Sequence, residues 1–546
     1  MLRSTGLITI CILLLAACSQ SDPSNISTKD RSQLETRPNI LFIVADDLGY
    51  TDIGAFGSEI PTPNLDNLAF QGVRLTSLHA ARACQETRVM MMASSGVSAA
   101  LEVRPRLSSG ERGNRLSLDW AILPELLQDA GYATYMTGKW DLGLETGYTP
   151  ATRGFDRSFV QLGASASHFA EILWGEESLY ELDGKRVAYT ELPDNFYSTN
   201  YYTDRMLEFI QSNNDSPWFA YVPLTTPHWP LQVPEDWVDR HAGKYNSGYD
   251  FLRESRMTRA DELGVIPTGV TIDNHEQIAT PWIELTEANQ LKYARSQEIY
   301  AAMVENMDLN VGRLIKYLEE SEQLSNTVIM FSSDHGGSAA EHGQRPPFPG
   351  QGGPRPPDFI NNQFENWGHP NSFIDHGLGF AEAATAPLKG YKGRLKEGGL
   401  RAAAFIYYPK ELPQGSVNES FITMMDIMPT FLEISGIEHP GATNYKGRQI
   451  NPIIGRSFWP HLTGRSETVH LPTDTAGWAQ NDIGALIKGD YKIINEPFHL
   501  ETSDDNTENS WRLYNINNDP GERNNLAQQE PELVLELIEE WETNWR

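Results

Sequence analysis

Residues 39–50 read NILFIVADDLGY, an apolar stretch that ends in two adjacent acidic residues. The run from Asn39 to Ala45 has the length and the β-branched content of a strand buried on both faces, as in the centre of a parallel sheet. Open α/β sheets bind their ligands at the carboxyl ends of such strands. Adjacent carboxylates repel one another unless a cation or hydrogen-bond donors hold them, so Asp46 and Asp47 favour a metal site over a surface turn.

Three later apolar runs of strand length are also followed by polar residues. Residues 132–136 precede Lys139 and Asp141, residues 218–222 precede His228, and residues 327–331 precede Asp334 and His335. Helices are predicted at residues 60–69, 123–130 and 297–320. This alternation predicts an α/β fold with a doubly wound, mostly parallel sheet flanked by helices. The polar residues should then meet at one edge of the sheet.

Beyond about residue 438 the pattern changes to short strands separated by Asp, Asn and Gly. Strands are predicted at residues 485–487, 491–494 and 512–515, and a closing helix at 531–545. These elements favour a smaller α+β domain built on an antiparallel sheet. The predicted organisation is a large catalytic domain at 38–437 and a C-terminal α+β subdomain at 438–546. Residues 338–380 are rich in Pro, Gly, Asn and Gln and are predicted to form a loop over the site.

The N-terminus has the layout of a secretory signal, with Arg3 ahead of a short apolar run. The run ends in Leu-Ala-Ala-Cys at residues 15–18, which resembles a bacterial lipobox in which Cys18 is lipidated. We therefore expect residues 1–18 to be a lipoprotein signal peptide and residues 19–37 a flexible tether. Ser19 after the lipidated residue suggests sorting to the outer membrane. The expected location is the bacterial cell envelope, with a lipid anchor.

The composition excludes some partners. The chain has 546 residues, 40% of them hydrophobic, and a formal net charge of −30. Contacts with nucleic acid need an excess of Lys and Arg to neutralise phosphates, so a nucleic-acid partner is not expected. An anionic substrate would have to be captured by a local basic pocket.

Cys84 is the only cysteine of the chain beyond the predicted signal peptide. A lone thiol forms no intramolecular disulfide, and in a secreted chain such a residue is either a reactive or modified group or a small buried hydrophobe. Arg88 follows four residues later, a helix-like run at residues 89–93 comes after it, and the Asp46-Asp47 pair lies upstream. These neighbouring residues favour a reactive or modified Cys84 over a small buried hydrophobe.

These motifs together resemble the formylglycine-dependent type I sulfatases of the alkaline-phosphatase-like superfamily, close to the bacterial arylsulfatases. The similarity covers essentially the whole chain after the leader, through these segments: 46–49, 62–66, 84–88, 154–157, 226–228, 300–313, 392–401 and 519–522. In that family a signature Cys or Ser is oxidised to formylglycine by a dedicated modifying enzyme, and its hydrate attacks sulfur. By position, Cys84 would be that nucleophile.

The resemblance also implies roles for the other residues. Asp46, Asp47, Asp334 and His335 would hold a divalent metal that also binds the nucleophile at residue 84, and calcium is the metal expected first. Arg88 would hold the hydrate. Lys139 and Lys392 would neutralise the sulfate, and His228 would bind sulfate or protonate the leaving oxygen. The substrate would be a sulfate ester.

Three positions depart from the family pattern. Glu86 stands where the signature has Pro, so conversion of Cys84 by the modifying enzyme is an open question, and a carboxylate there could also repel sulfate. Asp141 replaces a His that is thought to help break down the sulfated nucleophile; a carboxylate could act as a base there. His335 replaces Asn, and an imidazole ligand admits Mn, Fe or Zn beside calcium.

Two alternatives to a sulfuric ester hydrolase follow from these departures. Relatives that cleave phosphonates or phosphate diesters carry Asp-His where this chain has Asp334 and His335, which favours a phosphonate or phosphodiester hydrolase of the same fold. Glu86 and Asp141 favour a non-catalytic, sulfate-binding lipoprotein, since a fold does not by itself guarantee an activity.

Overall fold

The computed structural model describes residues 37–105, 113–170, 179–213, 216–266, 278–341, 360–480, 483–496 and 511–546. The predicted signal peptide and almost all of the predicted tether lie outside these residues, as do residues 342–359 of the predicted loop over the site. Within the described residues, no helix combines the length and the apolar character needed to cross a bilayer.

One large sheet of eleven strands organises the molecule. Its strands are β1 (Asn39–Ala45), β2 (Val73–His79), β3 (Ala133–Lys139), β4 (Arg157–Gln161), β5 (Tyr180–Leu182), β6 (Lys185–Val187), β7 (Trp218–Pro223), β8 (Thr327–Ser333), β9 (Arg401–Tyr407), β10 (Ser416–Asn418) and β11 (Ile422–Thr423). They lie in the order β10-β2-β9-β8-β1-β7-β3-β4-β5-β6, and β11 also pairs with β2.

The centre of this sheet is parallel. β1 runs parallel to β8 on one side and to β7 on the other, and β7 and β3 continue in the same sense. β9 is antiparallel to both β8 and β2, and β5 and β6 are antiparallel at the other end. The predicted α/β fold with a doubly wound, mostly parallel sheet is confirmed, and the four strands that deliver the polar residues are neighbours at its centre.

Helices cover both faces of the sheet. They are α1 (Pro63–Gln71), α2 (Cys84–Ala93), α3 (Val97–Ala100), α4 (Leu123–Asp129), α5 (Ser198–Gln211), α6 (Gly248–Glu262), α7 (Glu287–Glu320), α8 (Gly377–Thr385), α9 (Glu397–Leu400), α10 (Ile427–Ile434), α11 (Trp459–Leu462) and α12 (Pro531–Asn544). Alternate residues of β1 belong to two separate cores. Leu41 and Ile43 pack with α1, α5 and α7, whereas Phe42 and Val44 pack with α2, α4 and α10.

Two element predictions needed correction. The long helix α7 begins at Glu287 and not near residue 297, because the Thr286 side chain accepts a hydrogen bond from the backbone N–H of Asn289 and so caps an earlier start. Part of the predicted loop 338–380 is the helix α8, whose first residues Gly377 and Leu378 fall inside that range.

The C-terminal region forms the antiparallel sheet predicted from its short strands. The sheet consists of β12 (Thr475–Gln480), β13 (Ile483–Lys488), β14 (Tyr491–Ile494) and β15 (Arg512–Asn515), in that order. Helix α12 packs on it through Leu537 and Trp541. Ala485 and Ile487 on its other side belong to the core beneath α2 and α10, so this sheet packs directly against the large one. The domain boundary at 437/438 stays a prediction.

Candidate active site

Three buried carboxylates meet at the carboxyl edge of the parallel sheet. Asp46 and Asp47 follow β1, and Asp334 follows the neighbouring β8. The two strand ends are joined by hydrogen bonds: the backbone N–H of Asp334 donates to the Ala45 carbonyl over 3.0 Å, and that of Asp47 donates to Asp334 Oδ1 over 3.2 Å. Asp47 has a φ of 68°, which few residues other than Gly and Asn or Asp adopt, and this turn aims both side chains of the acidic pair into one site.

Cys84 is the first residue of helix α2 and its sulfur lies inside this cluster. The Sγ atom is 3.3 Å from Asp46 Oδ1, 3.2 Å from His335 Nε2 and 3.4 Å from Lys392 Nζ. Burial and the Asp46 carboxylate raise the pKa of the thiol, but Lys139, Lys392 and His335 more than offset this and lower it. The N-terminus of a helix also favours negative charge, so this position suits an anionic group.

Three cations surround the carboxylates. Lys139 Nζ lies 2.7 Å from Asp46 Oδ2, Lys392 Nζ lies 2.6 Å from Asp47 Oδ1, and Arg88 Nη2 lies 3.3 Å from Asp46 Oδ2. Arg88 also donates through Nη1 to the Lys139 carbonyl over 2.8 Å. Burial alone would lower the pKa of each lysine, but the carboxylates raise both, so the cations stay charged. A substrate anion would meet fixed positive charge here.

The two histidines of the site are held in different states. His228 Nε2 lies 3.6 Å from Asp47 Oδ2, yet burial lowers the pKa of its ring to about 4, so it is neutral near pH 7. Burial acts in the same direction on His335, but Asp334 and the Cys84 sulfur outweigh it and raise the pKa to about 10. Burial and the Asp46 charge raise the pKa of Asp334 to about 8. Burial would raise the pKa of Asp46 and Asp47, but neighbouring basic side chains outweigh it and lower both, so Asp334 is the carboxylate that is costly to ionise without a further cation.

The donor set fits a divalent cation. Two sets of four residues each have their possible ligand atoms within 4.8 Å of one another. One set is Asp46, Asp47, Cys84 and His228, and the other is Asp46, Cys84, Asp334 and His335. Two of the carboxylate oxygens, Asp47 Oδ2 and Asp334 Oδ2, are buried and have no hydrogen-bond partner within the described ranges. Buried polar atoms are nearly always satisfied, so these oxygens indicate a position for an ion. The oxygen atoms suit calcium and the imidazole also admits transition metals.

Asp141 lies at the end of β3 but outside the two possible ligand sets. It is 4% exposed, and Gln85 Nε2 donates to its carbonyl over 2.8 Å and approaches its Oδ1 at 3.5 Å. Asn114 in turn donates to Gln85 Oε1 over 3.0 Å. The backbone of Asp141 is left-handed, with a φ of 53°. The residue after Cys84 therefore fixes Asp141, a link that no sequence spacing indicated.

Glu86 does not share the face of α2 that Cys84 and Arg88 present to the site. Its carboxylate approaches Arg82 Nε at 3.7 Å, and both residues line a groove with Trp478 of the C-terminal sheet. Residues two apart on a helix do not face the same way, whereas residues four apart do. The side chain of Glu86 is thus directed away from the carboxylates and the cations.

Further buried polar groups contact the segments that carry the site residues, and the sequence patterns did not predict these groups. Arg256 donates to Asp52 Oδ1 over 2.5 Å, while Asp52 Oδ2 accepts from the Gly49 N–H and from the Tyr300 hydroxyl, each over 2.7 Å. His168 Nε2 lies 3.0 Å from the His228 carbonyl. These partners come from distant segments, so only the fold brings them to the site. For Arg256 and Tyr300 the available signal was a polar residue on an otherwise apolar helix face.

Comparison with known proteins agrees with this geometry. Residues 38–437 match the family model described as Sulfatase, and residues 391–543 match that of the N-sulphoglucosamine sulphohydrolase C-terminal region. An uncharacterized sulfatase of Schizosaccharomyces pombe is 39% identical over 92% of this chain and 93% of its own length. An arylsulfatase of Klebsiella aerogenes is 33% identical over 78% of this chain and 92% of its own.

Solved structures share the fold at low identity. A crystal structure of Ps i-CgsB in complex with k-i-k-neocarrahexaose has a TM-score of 0.65 at 22% identity and covers 93% of this chain and 92% of that one. A phosphonate monoester hydrolase of Agrobacterium radiobacter has a TM-score of 0.54 at 17% identity, covering 93% and 95%. The family model and the two sequence relatives span most of the chain. The chain therefore belongs to the sulfatases, enzymes that hydrolyse sulfate esters, within the alkaline-phosphatase-like superfamily.

Proposed function

We propose that this sulfatase cleaves a sulfate monoester with a formylglycine nucleophile made from Cys84 and with a divalent cation held by Asp46, Asp47, Asp334 and His335. One observation carries the proposal. The Cys84 sulfur lies within 3.4 Å of a carboxylate, an imidazole and a lysine at once, at a helix N-terminus. A merely structural cysteine gains nothing from such charged neighbours.

The modified residue and the cation supply the reactive groups. Formylglycine would supply, as its hydrate, a hydroxyl nucleophile where the thiol now stands, and a cation between the carboxylates would supply positive charge close to that hydroxyl. The sulfur atom of Cys84 in this structure stands in for those hydroxyl oxygens. We propose calcium as the cation, with Mn, Fe or Zn as candidates because His335 offers a nitrogen ligand.

The protein's own cations would bind and orient the ester. Lys139 and Lys392 would neutralise the sulfate oxygens, and Arg88 would hold the nucleophile in place while it pairs with Asp46. A sulfate monoester gains negative charge on its leaving oxygen as the bond to sulfur breaks. Fixed cations that need no rearrangement stabilise that charge most effectively.

His228 is placed to act on the leaving oxygen. Its Nδ1 lies 2.6 Å from the Trp229 carbonyl, which assigns the ring proton to Nδ1 and leaves Nε2 facing the site. A bound anion would raise the pKa of this ring from about 4, and the protonated Nε2 could then donate to the leaving alcohol. Asp141, held by Gln85, would serve as the base that releases sulfate from residue 84 and restores the enzyme.

A phosphonate or phosphodiester hydrolase is the second candidate, and His335 favours it because it brings a nitrogen atom into the ligand set. A sulfate-binding protein without catalysis is the third. The deciding experiment measures kcat/KM for an aryl sulfate, an aryl phosphate diester and an aryl phosphonate with protein coexpressed with a formylglycine-generating enzyme. We expect the sulfate to be the best substrate. Faster phosphonate or diester cleavage would support the second candidate, and tight binding of inorganic sulfate with no hydrolysis of any ester would support the third.

We also propose that the enzyme is anchored in the bacterial cell envelope by a lipid attached to Cys18. Substitution of Cys18 tests this proposal. The Cys18→Ala variant should remain an uncleaved precursor or be released to the soluble fraction, whereas the wild type should partition into detergent. Partitioning of the wild type to the aqueous phase would contradict the anchor.

A further inference from the structure

We propose that the C-terminal sheet positions Lys392, and so shapes the sulfate site, through a buried group of charged side chains that we name the anchor cluster. Its members are His79, Glu397, Arg401, Lys492 and Glu522, and all are buried. The inference rests on the proposed role of Lys392 in binding sulfate, and it adds positioning residues that lie outside the site.

The segment that carries Lys392 has little regular structure of its own. Between α8 and β9, its one element among the described residues is the four-residue helix α9. Lys392 is held by its backbone N–H, which donates to the Gly337 carbonyl over 3.0 Å, while the N–H of Gly393 donates to the Arg82 carbonyl over 2.7 Å. A segment of this kind keeps its shape only where other elements fix it.

The segment is also packed tightly on itself. A Cβ atom at Gly398 would lie 2.4 Å from the Gly390 carbonyl oxygen, and one at Gly399 would lie 2.2 Å from that of Arg394. Both separations are shorter than any real contact, so no side chain fits at these two positions. The backbone on either side of Lys392 is therefore in contact with the backbone around Glu397, and a shift at Glu397 is passed to Lys392.

Glu397 is fixed by the anchor cluster. Its Oε1 accepts from Lys492 Nζ over 2.9 Å, and its Oε2 lies 2.9 Å from both His79 Nε2 and Arg401 Nε. The backbone N–H of Glu397 donates to Glu522 Oε2 over 3.1 Å, and Lys492 Nζ is 2.8 Å from Glu522 Oε1. Lys492 lies on β14 and Glu522 follows β15, so two of the partners belong to the C-terminal region.

A third residue of the C-terminal region reaches the same segment nearer to Lys392. The carboxylate of Glu496 accepts from the backbone N–H of Leu395 over 3.3 Å and pairs with Arg394 Nη1 at 3.5 Å. Leu395 is itself buried in the core that the two sheets share. Thus the C-terminal region contacts the segment at three residues, which lie two, three and five positions beyond Lys392.

The test variant is Lys492→Met, and Lys492→Arg is the conservative variant that keeps the charge. Lys488→Met is the matched control, because Lys488 lies on the same sheet but its amine pairs with Glu536 of α12 at 2.6 Å. We expect Lys492→Met to lower kcat by on the order of 10- to 100-fold, because displacements near 1 Å are costly in catalysis. Its residues 389–400 should exchange amide hydrogen faster while residues 39–50 keep wild-type protection. Lys492→Arg should recover most of kcat, and Lys488→Met should match wild type in both measurements.

Glu496→Ala provides the same test if Lys492→Met fails to fold, since it removes a contact of the segment without leaving an unpaired charge in the anchor cluster. A folded Lys492→Met or Glu496→Ala variant with wild-type kcat and wild-type exchange at residues 389–400 would overturn the inference. Hydrogen exchange needs no turnover, so it tests the positioning even if wild-type protein hydrolyses no sulfate ester, a result that would count against the proposed function alone.

Discussion

The active site and the anchor cluster are both buried groups of acidic and basic side chains, but their carboxylates are satisfied differently. In the anchor cluster both oxygens of Glu397 accept hydrogen bonds from basic side chains, and Lys492 leads the cations that hold its pKa well below the usual range despite burial. In the active site one oxygen of Asp47 and one of Asp334 has no hydrogen-bond partner within the described ranges, and the pKa of Asp334 is raised to about 8.

This difference separates a structural cluster from a functional one. A buried carboxylate whose oxygens all meet donors is compensated within the fold and needs no further ligand. Asp334, whose pKa is raised and whose Oδ2 has no hydrogen bond from the described residues, is costly to ionise until a cation binds, and such perturbed groups concentrate at functional sites. Burial and charge are common to both clusters. Glu522 Oε1 of the anchor cluster also lacks a hydrogen bond in the described part of the chain, but the Lys492 ammonium lies 2.8 Å from it. Asp47 Oδ2 and Asp334 Oδ2 lie farther from their basic neighbours, 3.6 Å from His228 Nε2 and 3.7 Å from Arg88 Nη2.

Neutralising a carboxylate of the active site gives the largest expected effect. The Asp334→Asn variant should lose stoichiometric divalent metal and lower kcat on the order of 10³-fold, since charge stabilisation at the reacting group depends on it. The metal-free variant should nevertheless be at least as stable as metal-free wild type, because asparagine removes a carboxyl group whose ionisation is opposed by burial and by the Asp46 charge. Metal analysis by mass spectrometry and calorimetry with and without chelator measure both. Retention of metal and activity would show that this carboxylate is not a ligand.

Removing a carboxylate from the anchor cluster should lower the free energy of unfolding and leave metal binding unchanged. Glu397→Ala leaves Lys492, Arg401 and His79 without their shared carboxylate, so we expect a loss of about 3–5 kcal/mol in the free energy of unfolding. Chelation of metal should not alter this loss. Denaturant unfolding with and without chelator checks the expectation, and a loss that vanishes in the chelated protein would erase the distinction between the two clusters.

The dependence of stability on acidic pH should give a further test of how Glu397 is held in the anchor cluster. Lys492, His79 and Arg401 outweigh burial and hold the pKa of Glu397 well below the ordinary glutamate value of 4.5 in the folded protein, so its contribution is present above pH 4.5 and is lost as pH falls toward the folded pKa. Below pH 4.5, Glu397→Gln should therefore show a slope of stability against pH that is shallower by about 1.4 kcal/mol per pH unit than wild type. Chemical denaturation at several pH values below 4.5 gives the slopes. Parallel slopes would mean that Glu397 is not held ionised.

Glu86 lies outside both clusters and should have the smallest effect on stability. Glu86→Pro removes a pair with Arg82 at 3.7 Å and a favourable charge in the first turn of α2, which costs about 1 kcal/mol or less. The third residue of a helix has no intrahelical acceptor for its N–H, so proline removes no helical hydrogen bond there.

The same substitution should raise the fraction of Cys84 converted to formylglycine while turnover per converted site changes little. Glu86→Gln is the control, since it removes the charge without restoring proline. Peptide mass spectrometry gives the converted fraction and kinetics on an aryl sulfate give the turnover. A large rise in turnover per converted site would place the Glu86 carboxylate in contact with the substrate, against the geometry of α2.

Local sequence patterns predicted much of the fold and of the candidate site because the site residues follow the ends of strands. The run 39–47 specifies a buried strand and an acidic turn together, and the same logic located Lys139, His228 and Asp334. Contacts between distant segments could not be predicted in this way. Nothing in residues 491–522 indicates that Lys492 and Glu522 pair with Glu397, since that pairing depends on how two sheets pack. The early start of α7 at Glu287 was missed because its capping residue lies well before the apolar face.

The central claim is that residue 84, once converted, performs the chemistry, and the most direct test correlates conversion with turnover. Protein is expressed with graded amounts of a formylglycine-generating enzyme, the mass of the Cys84 peptide gives the converted fraction, and hydrolysis of an aryl sulfate gives the rate per protein. We predict a straight line through the origin, with Cys84→Ala at zero. Equal rates in converted and unconverted preparations would contradict the account.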